Sequence, residues 1–286
     1  MPALKQNQYG KSRVRFLRVH RRDHSHHDVS ELEADVLLSG DLEGSYLSDD
    51  NSSIVPTDTV KNTLHFLAHE NPDLCRGEFA LVIGHHFLAK YPHLHQVKIE
   101  LRERAWSRME IADRLHPHAF THDANGTPFT KALLVRGGET TLSSGIRDHL
   151  ILKTTASGFT GYHVCDMTTL PPTTDRILST KVTAEWTFSD LDANFQEADA
   201  AALKAIHRIF ATTYSPSVQR TLYEMGEAIL HDVESVATVQ LALPNVHFLN
   251  IDLGKFGRPG QNVVFLPTDE PHGQIEATMV RDGFAG

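Results

Sequence analysis

Cysteine is nearly absent from the chain. Cys75 and Cys165 are the only two in 286 residues, and they lie far apart. No disulfide framework and no thiolate metal site can be built from such a pair within one chain. A reducing compartment is the natural expectation. Positive charge is also short: 27 Lys and Arg against 36 Asp and Glu give −9 with His neutral. That balance excludes the basic face that a nucleic-acid binder needs, and an anionic ligand would have to meet a local cation. No apolar run approaches the roughly 20 residues that span a membrane. Residues 1–9 lack the apolar stretch of a signal peptide, and Phe284-Ala285-Gly286 is not a peroxisomal address of the serine-lysine-leucine type. The expectation is a cytoplasmic protein with neither membrane nor nucleic acid as partner. No G-x-G-x-x-G loop follows a strand, Gly137-Gly138 reads as a turn, and no histidine falls in an H-E-x-x-H pattern. Neither a bound cofactor nor a metal is expected.

What is present is globular: 40% hydrophobic and 22% charged residues, in a length that suits one large domain or two ordinary ones. Residues 12–22 set Val14 and Phe16, with Leu17 and Val19, among cations and read as a strand with one wet face. His24, His26 and His27 follow in a polar turn, and residues 31–43 return as a second strand. In 54–63 the turn formers Asp49 to Ser53 give way to a helix start, with Thr57 as N-cap type and Asp58 in the first turn. Val60, Leu64, Leu67 and Ala68 continue it at helical spacing until Asn71-Pro72. A second helix is expected over 77–91, then a strand over 95–106 in which only Glu103 breaks the apolar side. Its polar face is a mixed-charge ladder, which reads as structural. Asp123-Ala124-Asn125-Gly126 signals a hairpin between 118–122 and 130–136.

The second half repeats the order. Residues 144–153 read as a loop entering a strand, and 176–188 contain another strand. Helices follow over 196–212 and from Ser215-Pro216 to about Glu234, the first pair reading as N-cap and first helical position. Strands are expected over 236–243, over 246–253 as a second strand or a bent continuation, and over 275–281. The pattern is strand-strand-helix-helix-strand-strand, twice, dividing at residues 1–140 and 141–286. Antiparallel hairpins with helix pairs on one face make an α+β fold. Sheet edges left open at both ends suggest an oligomer that closes a ring or barrel.

Five stretches could carry chemistry. Tyr9-Gly10-Lys11 leads into the first strand, and the Thr57 helix start offers unpaired amides. Ser157-Gly158-Phe159-Thr160-Gly161-Tyr162 sets a phenylalanine between glycines, as a hydrophobic plug or a flat platform for an aromatic ligand. Arg176 in 175–180 could form a salt bridge or grip a planar anion through its fork. Ser217-Val218-Gln219 and Leu243-Pro244-Asn245-Val246-His247 add a first-turn amide at Val218 and a donor–acceptor side chain at Gln219.

Taken together these segments resemble the urate oxidase (uricase) family over essentially the whole chain. The resemblance rests on Tyr9-Gly10-Lys11, Thr57-Asp58-Thr59-Val60-Lys61-Asn62-Thr63, His116-Pro117-His118, Asp175-Arg176-Ile177-Leu178-Ser179-Thr180, Ser217-Val218-Gln219 and Leu243-Pro244-Asn245-Val246-His247. Each is short; their order and spacing are specific. It implies tandem tunnelling-fold (T-fold) units, each antiparallel ββααββ, in a homotetramer whose sheets form a β-barrel tunnel. It also implies cofactor-free oxidation of urate by dioxygen and water to 5-hydroxyisourate and hydrogen peroxide, in purine catabolism. The sites would lie between subunits, one supplying Phe159, Arg176, Val218, Gln219, Asn245 and His247 and its neighbour Lys11, Thr57 and Asp58. Phe159 would stack on the ring. Arg176 and Gln219 would hold opposite edges, and the Val218 and Asp58 amides would add donors. Asn245 would hold dioxygen or water, while Lys11, Thr57 and His247 would relay protons. A lysine accepts a proton only when neutral, a state that a desolvated interface favours. The loop before Thr57 is expected to order only in the oligomer. Two other readings compete: a related T-fold purine or pterin enzyme, of which some use zinc, and a non-enzymatic purine-binding protein, which would need the clamp but not Lys11, Thr57 and His247.

Overall fold

The computed structural model describes residues 3–21, 25–258, 260 and 262–284. The chain divides into two compact units, Met1–Gly145 with Asp190–Glu197, and Ile146–Ser189 with Ala198–Gly286.

The first unit begins with β1 (Tyr9–Arg21) and β2 (His27–Gly40), then the short α1 (Glu43–Leu47), α2 (Thr57–Glu70) and α3 (Arg76–Lys90). β3 (Leu94–Arg104), β4 (Trp106–Ile111), β5 (Arg114–His122), β6 (Thr127–Val135) and β7 (Thr140–Lys153) follow, β7 running on into the second unit. The sheet order is β1-β2-β3-β6-β7. Alternation in β2 buries Leu32, Ala34, Val36 and Leu38 completely, as period-two side chains on one face require. Val97, Ile99 and Leu101 of β3 meet them, and α2 and α3 cover this face with Val60, Leu64, Phe79, Ile83 and Phe87. Each such side chain contributes about 1.5–3 kcal/mol on burial. Gly84 permits the close approach of α3, since a Cβ there would stand 2.3 Å from Leu134.

The opposite face is the expected charge ladder: Arg102 pairs with Glu33 at 3.0 Å, Asp35 at 2.8 Å and Glu100 at 3.0 Å. Glu103, which breaks the apolar side, pairs with Arg76 at the start of α3. Of the histidine turn, His24 lies outside the described residues, and Arg108 of β4 contacts His26 Nε2 at 3.1 Å.

The second unit holds β8 (Leu178–Phe188), α4 (Phe195–Thr212), whose first turn belongs to the first unit, α5 (Val218–Asp232), β9 (Val236–Ala242), β10 (Asn245–Asn250), β11 (Phe265–Gly273) and β12 (Glu276–Val280). β8 pairs with β7 and β9, and β9 with β12. Val182, Ala184, Trp186, Val239 and Leu241 are buried, as are Ala202, Ile206, Leu222, Met225 and Ile229 of the helix pair, and α5 packs on β9 and β12. The path β7-β8-β9-β12 matches β1-β2-β3-β6, and the hairpins β4–β5 and β10–β11 are inserted at the same place in each. Both units are thus ββααββ, and the fold is α+β of the T-fold type.

Several expectations need correction. The turn 123–126 does not close a hairpin, because β5 pairs with β4 and β6 pairs with β3. The turn instead returns the chain to the main sheet, with Asp123 N–H on the Ala105 carbonyl at 2.9 Å. β4 showed no alternation because both its faces are largely exposed. β7 starts at Thr140, not Ser144: Ser143 and Ser144 look loop-like in sequence but are buried in the sheet, the Ser144 hydroxyl lying 2.9 Å from that of Thr130. β11 was hidden by Pro267 and Pro271, which fit a strand that, among the described residues, borders only β10. β9 and β10 run along the same edge of β8, bent at Leu243-Pro244.

Candidate active site

The residues singled out above fall into two groups, one on each unit. Tyr9 opens β1 and organises the first. Its hydroxyl accepts from the Val55 N–H at 2.6 Å and lies 3.1 Å from the Val55 carbonyl, to which it donates. This tethers the loop before α2 to β1 two residues from Lys11, whose strand partner is Val36. Ser45 adds a bond to Asn51 at 2.6 Å. The loop therefore has anchors within its own chain.

Thr57 is the first residue of α2, not its cap. Pro56 holds the cap position at φ −53°, ψ 137°, and no side chain caps the helix. The Thr57 hydroxyl is exposed and serves no bond to its own helix start. Asp58 follows, its carboxylate engaged by Lys61 Nζ at 2.5 Å and Asn62 Nδ2 at 3.0 Å. The hydrogen bond from Lys61 holds that carboxyl below its ordinary range, and the charge of Lys11 adds to the effect. Lys11 thus stands within electrostatic reach of the α2 start, whose first amides have no helical acceptor. Thr57 and Asp58 are adjacent in α2, and the Tyr9–Val55 bonds tie the loop before them to the strand that carries Lys11.

The second group is built around Ser157–Phe159. Gly158 N–H bonds the Ser215 carbonyl at 2.8 Å, and Ser215 N–H bonds Ala156 at 2.9 Å. Phe159 exchanges backbone bonds with Thr173 at 2.7 and 3.0 Å, and Arg176 N–H reaches the Ser157 carbonyl at 2.8 Å. Gly158 has to be glycine: a Cβ would stand 2.3 Å from the Tyr214 hydroxyl and 2.9 Å from the Thr173 carbonyl. That hydroxyl donates to Thr174 at 3.0 Å and so braces the segment before Arg176.

The Arg176 guanidinium lies 5.5 Å from the centroid of Phe159. Its Nε is buried without a hydrogen-bond partner, and among the described residues no carboxylate pairs with it. Burial pushes its pKa below the ordinary guanidinium value. A desolvated cation facing an aromatic ring and lacking a counter-ion is a receptor for a flat anion.

Val218 is the first residue of α5, capped by Ser217, whose Oγ accepts from Arg220 N–H at 3.1 Å. The cap is therefore Ser217 and not Ser215. Val218 is buried and Gln219 exposed. Asn245 opens β10 opposite Thr180 of β8, and His247 follows two residues on, past a break in the register with β11.

Tyr162 was missed in the sequence. It stacks on Phe159 at 4.8 Å and 15°, while the Arg176 guanidinium lies over the same ring.

A family model described as Uricase matches residues 7–132 and 142–276. The chain belongs to the uricase family. It is 38% identical over 293 residues to the uricase of Cyberlindnera jadinii, covering 97% of both chains. It is 37% identical over 283 residues to that of Dictyostelium discoideum, covering 98% of both. The crystal structure of uricase from Arthrobacter globiformis superimposes with a TM-score of 0.93 at 34% identity, covering 100% of this chain and 97% of that one. This likeness agrees with the two ββααββ units derived above.

Proposed function

We propose that this chain oxidises urate with dioxygen and water to 5-hydroxyisourate and hydrogen peroxide, without a cofactor, as a step of purine breakdown in the cytoplasm. The observation that carries the reading is the uncompensated Arg176 cation beside the Phe159 ring. Urate is a flat, electron-rich anion with amide-like edges. Phe159 stacks on its face, and Arg176 neutralises it through two in-plane bonds. Gln219 pairs with the opposite edge through both amide atoms, and the Val218 N–H adds a donor fixed by the helix start. One face of the ring is left open to dioxygen.

The reaction needs a proton removed from a weakly acidic ring nitrogen. A threonine hydroxyl is a poor base alone, so Thr57 passes the proton on to Lys11. His247 serves the other end, moving protons to reduced oxygen and from water, with Asn245 holding dioxygen, peroxide or water above the ring. The Asp58 amide, free of a helical acceptor, adds a second contact from α2. Its carboxylate, engaged by Lys61 and Asn62, takes no part. Positioned proton transfer of this kind contributes on the order of 10²–10⁴-fold.

Lys11, Thr57 and Asp58 of one subunit complete the pocket of its neighbour in a homotetramer, whose sheets close into a β-barrel tunnel. The test is loss of urate absorbance with stoichiometric peroxide release in metal-free buffer. Absence of turnover there, with activity appearing only on added zinc, would overturn the reading in favour of a different T-fold purine enzyme. Binding of urate without turnover would make the protein a carrier.

A further inference from the structure

Three parts of the proposed clamp arise from separate stretches: the stacking ring from the 157–162 loop, the cation from residue 176, and the amide pair from the start of α5. They must be held to within about 0.5 Å of one another for a rigid purine to meet all of them. One backbone chain links them. Arg176 N–H bonds Ser157, and Ser215 bonds both neighbours of Ser157. What remains is to join Ser215 to the helix, and this is done by a buried side chain outside the ligand contacts. Thr221, one turn into α5 and 3% exposed, donates from Oγ1 to the Ser215 Oγ at 2.6 Å. It also lies 3.2 Å from the Ser217 carbonyl, and Ser215 Oγ donates to the same carbonyl at 3.1 Å. Ser215 is fully buried.

We propose that Thr221 is a positioning residue for the urate site, locking the first turn of α5 through Ser215 into register with the Phe159 loop. The inference rests on the proposed reaction and concerns the same site. The usual role of a helical threonine back-bonded to the fourth residue before it is local. Here the hydroxyl proton is directed out of the helix instead, to the Oγ of the residue that bridges the ligand loop. Without it the Ser217 carbonyl keeps its bonds from the Ser215 hydroxyl and the Thr221 N–H, but the side-chain link from α5 to Ser215 is lost, and the Val218 amide and Gln219 are free to drift against Phe159 and Arg176.

The perturbation is Thr221→Val, which keeps the branched shape and deletes the hydroxyl. Losing a buried hydrogen bond from the frame weakens uniform binding of the purine. KM for urate is expected to rise about tenfold with kcat changed less than about twofold. The dissociation constant of xanthine, which keeps the purine amide edges, is expected to rise in parallel. Thr221→Ser restores both constants. Unchanged KM and xanthine affinity in Thr221→Val would overturn the inference. So would equal impairment of Thr221→Ser, which would assign the effect to the lost methyl. Should Thr221→Val aggregate, Ser215→Ala provides the same comparison: a raised KM supports the proposal and an unchanged one overturns it. An inactive parent protein would instead overturn the reaction itself, which keeps the two failures distinguishable.

Discussion

Replacing Arg176 with glutamine tests the anion clamp at its centre. Glutamine keeps polarity and part of the length while removing the charge and the fork. Two charge-assisted hydrogen bonds to urate amount to roughly 3–6 kcal/mol. A glutamine amide regains about 1 kcal/mol with one neutral bond. The net loss is about 2–5 kcal/mol, or roughly 30- to 5000-fold in kcat/KM. Stability should behave differently. The guanidinium has a buried Nε without a partner and no carboxylate beside it among the described residues, so burial of the cation works against the fold. Its contact with Phe159 at 5.5 Å offsets this by about 0.5–1 kcal/mol. The two nearly cancel, and Tm should stay within about 2 °C of the parent. Initial rates from urate absorbance over a substrate series, beside a calorimetric scan, measure both quantities. A kcat/KM within threefold of the parent would refute the clamp. Loss of activity with a Tm drop above about 6 °C would trace the effect to folding instead.

Other perturbations separate the remaining parts. Lys11→Met and Thr57→Ala should each lower kcat by about 10²-fold or more, and normal turnover in either would remove the relay. Tyr9→Phe deprives the buried Val55 N–H of its acceptor, at about 1–3 kcal/mol. A Tm lowered by several degrees, with reduced kcat from a loosened Thr57, is expected; an unchanged scan would show that the loop is held elsewhere. The two cysteines should react unequally with iodoacetamide at pH 8. Cys165 is exposed, and a hydrogen bond from Thr168 lowers its pKa, whereas burial pushes Cys75 up to about 11. Mass spectrometry should find Cys165 alkylated first, and equal rates would contradict the burial of Cys75.

Much of this was legible in the chain because side chains with one dominant environment write regular patterns. β2, α2 and α5 bury one face each, and their periods gave them away within a few residues. The inserted hairpins were not legible, for the converse reason. β4 has no buried face to mark it, and β11 carries two prolines. At the site, residue types were readable where a charge or ring stood out of context, as at Arg176 and Phe159. The brace formed by Ser215 and Thr221 was not, since serine and threonine before a helix look like caps whether or not they reach a second loop. Tyr162 stayed hidden because stacking depends on how a loop folds back, which spacing alone does not determine.

Pro56 at the start of α2 has a consequence beyond geometry. A helix whose first turn is set by a proline ring makes no demand on the hydroxyl of the next residue. At most helix starts, a threonine lost is stability lost, and selection for folding would preserve it whatever it did for chemistry. Here the two pressures fall on adjacent positions. On the proposed relay, variation at Thr57 is expected to act on turnover and variation at Pro56 on folding. A library randomised at both sites should sort along two nearly independent axes.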